Sequence, residues 1–365
     1  MILEEEKKRY RKGLSNPTQE DIDIRSYEYA LFKASMKRFF PKISNEDHID
    51  MFKDYMYHIW ISGLEQYDMG YLKKTTVINN SSIDLSTNEQ RAPLIFSSFH
   101  FGSFRLLNSI LYELGHKIVI IIAEDIFQKQ EGEILNKVKP LLKGTKDSDF
   151  IILNVMKRAS IFKLKNLISK GYIMTVYLDG NTGINTDSQS FTKGYIPINF
   201  LNKTIYVKNG IGRLAALLGA MIIPAISYRD KKEDNHLTFY KEIEIKDFMS
   251  KKEFSIKSIE FCYKKFEEAL IKYPMQWGSW LNIHKWFKRD YTTPFKIKKE
   301  NKICNEFNNE RYTFFKLGKS NFIFDLFDYK SYPITSDLFI TINQNRIPEV
   351  EPHLYKELAT KNIII

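Results

Sequence analysis

From Tyr27 to Phe40, and again from Ile49 to Leu64, apolar side chains recur every three or four positions, the period of an amphipathic helix. Ser44-Asn-Glu-Asp47, ahead of the second run, has the form of a capping box with Asp47 in place of the usual Glu or Gln. Residues 1–90 therefore read as an N-terminal helical layer. The polar stretch from Asn79 to Arg91 has the composition of a loop.

After Ala92 the pattern changes. Short apolar runs at Pro93–Ser98, Ile118–Ala123, Phe150–Val155, Ile173–Leu178, Met221–Ser227 and Leu237–Ile245 alternate with helix-like segments at Phe104–Leu114, Gly132–Leu142, Ser160–Ser169 and Ile211–Leu218. Such alternation predicts βαβ units, and continuous runs such as Val119-Ile-Ile-Ile122 predict a sheet covered on both faces. The expected fold class is α/β: a mixed, mostly parallel sheet flanked by helices over residues 91–293. A longer amphipathic helix, about Ser255 to Ile271, precedes Trp277, Trp280 and Trp286, which are expected to cover the core, with the lining of an apolar ligand groove as the alternative. Lys296 to Lys302 reads as a linker. Residues 301–365 form a small α+β unit, with strands Tyr312–Leu317 and Phe322–Phe327 around the turn Gly318–Asn321, then two short helices.

Composition narrows the function classes. A chain of 365 residues has room for about two domains, and 43% hydrophobic with 27% charged residues is a globular balance. The longest apolar stretch, Leu214–Ile226, is interrupted by Gly219 and Pro224 and falls short of the ~20 residues of a membrane-spanning helix. The N-terminus lacks the apolar run of a secretory signal, so a cytoplasmic location is expected, with contact at the inner face of the membrane as the alternative. Cys262 and Cys304 are too isolated for a disulfide framework or a zinc site, and no metal is expected. Lys plus Arg (55) exceed Asp plus Glu (44), a net charge of +11 that suits acidic partners. No run resembles a basic tail, and nucleic acid is not expected as a partner.

The sharpest local signal is Ser97-Ser-Phe-His-Phe-Gly-Ser-Phe-Arg105. Here a histidine follows a buried strand and precedes a helix. Open α/β sheets bind ligands at the carboxyl ends of their strands, which places His100 where a general base acts. The alternative is a hydrogen-bonded surface histidine.

The order of motifs resembles the lysophospholipid acyltransferase superfamily, and within it the lipid A biosynthesis lauroyl/myristoyl acyltransferases. His100-Phe-Gly-Ser-Phe-Arg105 is similar to their His-Phe-Gly-Asn-Trp-Glu block, and Tyr177-Leu-Asp-Gly-Asn-Thr-Gly183 to their Asp-containing strand end. Gly194–Lys203, Gly210–Pro224 and Pro274-Met-Gln-Trp277 match later blocks in order. The resemblance spans roughly residues 90 to 288. It implies an acyl transfer from acyl-coenzyme A or an acyl carrier protein, as donor substrate rather than bound cofactor, to a hydroxyl or amine. His100 would be the base.

One departure stands out. The family's orienting carboxylate lies five residues after the histidine, where this chain has Arg105, a donor that stays cationic. Three explanations are open. Asp179, with Glu124 or Asp125 behind it, orients the ring; Arg105 contacts a donor phosphate; or the site is degenerate and the domain only binds. The expected catalytic residues are thus His100 and Asp179, and the expected substrate contacts Gly102, Arg105, Lys193 and Lys203.

Residues 301–365 also resemble PqqD-like winged-helix domains through the Tyr312–Phe327 hairpin, Pro333-Ile-Thr-Ser336 and the Leu354–Ile364 close. That resemblance implies leader-peptide recognition by strand addition, hence acylation of a ribosomal peptide. The competing expectation is a degenerate module that holds a peptide or acyl carrier for another maturation enzyme.

Overall fold

The computed structural model of the chain describes residues 2–65, 69–87, 92–122, 149–154, 158–180, 194–288 and 306–365. The expected helix Gly132–Leu142, the linker Lys296–Lys302, and Glu124, Asp125, Lys193 and Cys304 lie outside them. Two compact units emerge, one of Tyr55–Ser279 and one of Met1–Asp54 with Trp280–Ile365.

In the first unit the strands are β1 (Thr76–Asn79), β2 (Leu94–Ser98), β3 (Lys117–Ile122), β4 (Phe150–Asn154), β5 (Tyr172–Tyr177), β6 (Tyr195–Phe200), β7 (Lys203–Lys208), β8 (Met221–Arg229) and β9 (Asn235–Phe239). Seven of them form one sheet in the order β1-β9-β8-β2-β5-β3-β4, parallel except where β8 meets β9. Buried Leu94, Phe96, Ile118, Ile120, Ile173, Ile223 and Leu237 make its core with Leu107 and Leu111. Each such side chain contributes roughly 1.5–3 kcal/mol of burial energy. The fold is therefore a mixed, mostly parallel α/β sheet flanked by helices.

The helices of this unit follow from its apolar faces. Besides α4 (Met69–Lys74), α5 (Leu106–Glu113) and α6 (Arg158–Ser169), the helices α7 (Gly210–Leu218) and α8 (Lys251–Lys272) pack together. Gly212 permits this closeness, since an added Cβ would lie 2.0 Å from the Ser255 carbonyl oxygen. Ser250 caps α8 by accepting from the Glu253 amide, so the helix starts before the expected Ser255.

Two strands differ from expectation. Strand β1 has no counterpart in the hydrophobic pattern because its four residues are exposed; parallel pairing to β9 holds it. The run Leu237–Ile245 leaves the ladder after Phe239, and Ile243 returns to pair with Ile222 alone. Strands β6 and β7 form a separate hairpin whose turn residues, Leu201 and Asn202, take φ of 48° and 59°.

The second unit holds the antiparallel sheet β10 (Tyr312–Leu317), β11 (Ser320–Asp325) and β12 (Ser331–Ile334), in that order. Helices α9 (Ser336–Asn343) and α10 (Pro352–Thr360) close it over Tyr312, Ile323, Leu338, Ile342 and Leu358. With it come α1 (Ile2–Ser15), α2 (Gln19–Phe39) and the first turns of α3 (Asp47–Glu65). Thr18 and Asp21 form a capping box on α2, and Ser44 accepts from the Asp47 amide at the start of α3. The N-terminal helices thus group with the C-terminal segment, because α2 covers β10. Tyr27 lies 4.8 Å from the Phe315 ring, the Ser26 hydroxyl accepts from the Lys316 amide, and Lys316 pairs with Asp23 at 2.7 Å. Trp280 is buried against Phe39 and Phe40, a core-covering role.

One buried group in this unit makes stability depend on pH. His48 is fully buried, and among the described residues neither ring nitrogen has a hydrogen-bond partner. Burial, helped by Lys33 and Lys37 and opposed by Asp47 and Glu310, pushes its pKa from 6.5 down to about 4. The folded protein keeps the ring neutral while the unfolded chain takes up a proton. Its contribution is therefore full above pH 6.5 and is lost as the pH falls towards 4, a loss of about 3 kcal/mol. His48→Leu is expected to flatten that acid loss while matching the wild type near neutral pH. Thermal unfolding of both proteins from about pH 7.5 to about pH 4.5 checks this, and parallel curves would refute it.

Candidate active site

Parallel pairing of β2 with β5 places Ser98 opposite Tyr177, and the Leu178 amide extends the ladder to the Ser98 carbonyl at 2.9 Å. Two positions further on each chain stand His100 and Asp179. The register of a buried ladder, not a local turn, thus brings the two side chains together at the carboxyl edge of the sheet. His100 Nδ1 lies 2.7 Å from Asp179 Oδ1.

Asp179 is fully buried, and among the described residues every partner of its carboxylate is a donor. The His100 amide lies 3.0 Å from both carboxylate oxygens, Trp277 Nε1 donates to Oδ2 at 2.8 Å, and the Ser279 hydroxyl reaches the same oxygen at 3.3 Å. Burial works to raise the carboxyl pKa, but the interaction with His100 and these hydrogen bonds outweigh it and hold the group below its ordinary value. An ionised Asp179 accepts only, which assigns the proton between the pair to Nδ1. Nε2 is then the acceptor nitrogen. Among the described residues Nε2 has no hydrogen-bond partner, and the imidazole side chain is 34% exposed.

Two aromatic rings frame the imidazole. Phe104 meets it edge-on at 4.8 Å and Tyr177 lies 5.0 Å away. The Tyr177 hydroxyl donates to the Phe104 carbonyl and accepts from Asn108 Nδ2, and burial raises its pKa. Arg105, half-buried just before α5, holds its guanidinium carbon 4.4 Å over the Phe104 ring. His100, Asp179 and Arg105 are thus gathered at one strand edge.

The other expected residues lie elsewhere. Gly102 has φ of 56° and faces the β8 backbone: an added Cβ would lie 2.7 Å from the Ser227 carbonyl oxygen and from the Tyr228 Cα. Lys203 opens β7 on the exposed side of the hairpin turn, with no contact to His100 among those described. Among the described residues no group of His, Cys, Asp and Glu could hold a metal ion. Cys262 is buried and its thiol pKa is pushed up by burial.

Sequence reasoning gave Trp277 a core-covering or groove-lining role, whereas its indole N–H is spent on Asp179. The segment 276–278 also clamps the histidine turn. Gly102 donates to the Gln276 carbonyl at 3.1 Å, Gly278 donates to the His100 carbonyl at 2.9 Å, and Phe101 bridges to Trp277. The Pro274-Met-Gln-Trp277 motif was the available signal, since a buried indole needs an acceptor.

No protein-family model matches the chain, and no curated protein sequence matches it. Among solved structures it is similar to the crystal structure of the 1-acyl-sn-glycerophosphate (LPA) acyltransferase PlsC from Thermotoga maritima. That likeness has 14% identity over 70% of this chain and 98% of that chain, with a TM-score of 0.32. At that level of superposition it places no residue of this chain.

Gly102→Ala is expected to destabilise the protein by about 2 kcal/mol or more, because the positive φ and the backbone contact act together. Gly210→Ala, where an added Cβ meets nothing within 4 Å, is the control and is expected to be neutral or slightly stabilising. Urea unfolding midpoints compare the two. Equal midpoints would remove the argument that the turn is tied to β8.

Proposed function

We propose that the protein is an acyltransferase in which His100 is the general base and Asp179 the carboxylate that orients it. The single observation that carries this reading is the buried, donor-surrounded Asp179 on His100 Nδ1, which leaves Nε2 open at the sheet edge. The ordered motifs from Pro93 to Trp277 support the same chemistry.

The reaction follows from that arrangement. Nε2 takes the proton of an acceptor hydroxyl or amine as its oxygen or nitrogen attacks the thioester carbonyl carbon. The imidazolium so formed is held by the Asp179 carboxylate 2.7 Å from Nδ1. Collapse of the tetrahedral intermediate breaks the carbon–sulfur bond, and the departing thiolate receives the proton from Nε2. Acceptor and donor exchange one acyl group and one proton, and the enzyme returns to its starting state.

Acyl-coenzyme A or an acyl carrier protein is the proposed donor, with Arg105 on a donor phosphate beside the site. The proposed acceptor is a gene-encoded peptide. Strand β12 favours it: α2 covers the β10 side of the small sheet, while β12 ends the other side.

Incubation with acyl-coenzyme A or acyl carrier protein and a panel of peptides, amines and lysophospholipids should release free thiol. His100→Ala is expected to abolish release, and Asp179→Asn to cut the rate by on the order of 10⁴. Unchanged turnover in His100→Ala sinks the assigned base. Intact mass then separates acceptors: an acyl increment on peptide supports the peptide reading, and one confined to lysophospholipid overturns it. Peptide binding with no mass change under any donor favours a binding module.

A further inference from the structure

Behind the histidine turn lies a second buried polar cluster that the proposed chemistry does not use. Arg229 ends β8, the strand beside β2, and is 1% exposed, as are Glu65 and Ser103. Its Nη1 donates to Glu65 Oε2 at 2.7 Å and to the Ser103 hydroxyl at 2.6 Å. Nη2 donates to the His58 carbonyl at 3.0 Å, and Nε to His58 Nδ1 at 3.2 Å. The Ser103 hydroxyl donates in turn to Glu65.

The same residue is tied to the turn through its backbone. Its amide donates to Gln276 Oε1 at 2.8 Å and its carbonyl accepts from Gln276 Nε2 at 2.7 Å. Gln276 is also the residue whose carbonyl holds the Gly102 amide. Arg229 therefore grips the segment 100–103 twice, by its guanidinium at Ser103 and through Gln276 at Gly102.

Stability alone does not explain this cluster. Two buried charges cost several kcal/mol each in desolvation, and a well-packed apolar pair in their place is often as stable or more so. What the fork supplies is direction: several N–H bonds at fixed angles to Glu65 and His58 of α3 and to Ser103, which a lysine cannot reproduce.

We infer that the Arg229–Glu65–Ser103 cluster is the positioning unit of the active site, fixing the turn so that His100 Nδ1 stays on Asp179. This rests on the reading of His100 as the base. Arg229 and Glu65 touch no reacting atom; they act through Ser103 and Gly102.

Arg229→Lys in the full-length protein is the first test, with Ser103→Ala as a milder variant that keeps the ion pair. The double variant Arg229→Met/Glu65→Leu removes both charges and guards against simple misfolding. The readouts are thermal unfolding, kcat and KM for thiol release, and the ring ¹⁵N shifts of His100 at alkaline pH, assigned by their absence in His100→Ala. Those shifts report which ring nitrogen carries the proton. The expected result is that the double variant unfolds near the wild-type temperature, yet its His100 shifts move from a single Nδ1–H form towards a mixture. In the same variant kcat falls about 10–100-fold with KM little changed, the scale of a displaced catalytic group. Ser103→Ala is expected to move the shifts in the same direction by less. Wild-type shifts and wild-type kcat in folded Arg229→Lys and in the double variant overturn the inference. Full turnover in His100→Ala instead overturns the base assignment, and the shifts still decide the positioning question.

Discussion

A carboxylate without solvent stays ionised only where donors surround it, and much of the larger unit is arranged to supply them to Asp179. The β2–β5 register delivers His100 and its amide. The segment after α8 delivers Trp277 and Ser279. The packing beneath follows: Trp277 and Phe200 stand 5.6 Å apart, Phe266 lies 5.1 Å from Trp277, and Phe99 stacks on Phe266 at 4.1 Å. An indole that must reach a fixed oxygen has little freedom, so the aromatic cluster is anchored from the polar side as well as filled from the apolar one.

The parts of this design that were legible in the sequence are those that leave a pattern in adjacent residues. The continuous runs of β2, β3, β5 and β8 announced a doubly covered sheet because each buries both faces. His100 was legible because it stands alone after such a run. Asp179 was reachable as the first choice among several carboxylates, but its contact with His100 follows only from the register that sets residue 98 against residue 177. β1 was not legible, because an exposed strand held by backbone pairing carries no hydrophobic period. Arg229 was hidden for the opposite reason. A charged residue at the end of an apolar strand reads as the return to solvent, and only the fold shows it sealed against Glu65.

The grouping of the N-terminal helices with the C-terminal segment has a similar cause. Helix α2 has a weakly segregated apolar face, with the consecutive residues Ala30 to Met36 buried all round it, so its periodicity predicts a helix without naming its partner. The partner is set by specific polar contacts, Ser26 with the Lys316 backbone and Asp23 with the Lys316 amine. Neither side of such a pair is recognisable until the two segments are seen together.

A histidine–carboxylate pair formed between two strands depends on more than one local turn. Here the distance from His100 to Asp179 is set by the sheet ladder and by how the 100–103 turn is seated on β8. The turn therefore needs a frame beyond its own backbone. The Gln276 clamp, the close seat of Gly102 on the Ser227 and Tyr228 backbone, and the Arg229 fork at Ser103 provide it. The Arg105 side chain is carried over the Phe104 ring, one aromatic ring away from His100. There the guanidinium adds positive charge beside the imidazole while the Nδ1–Asp179 contact stays in place.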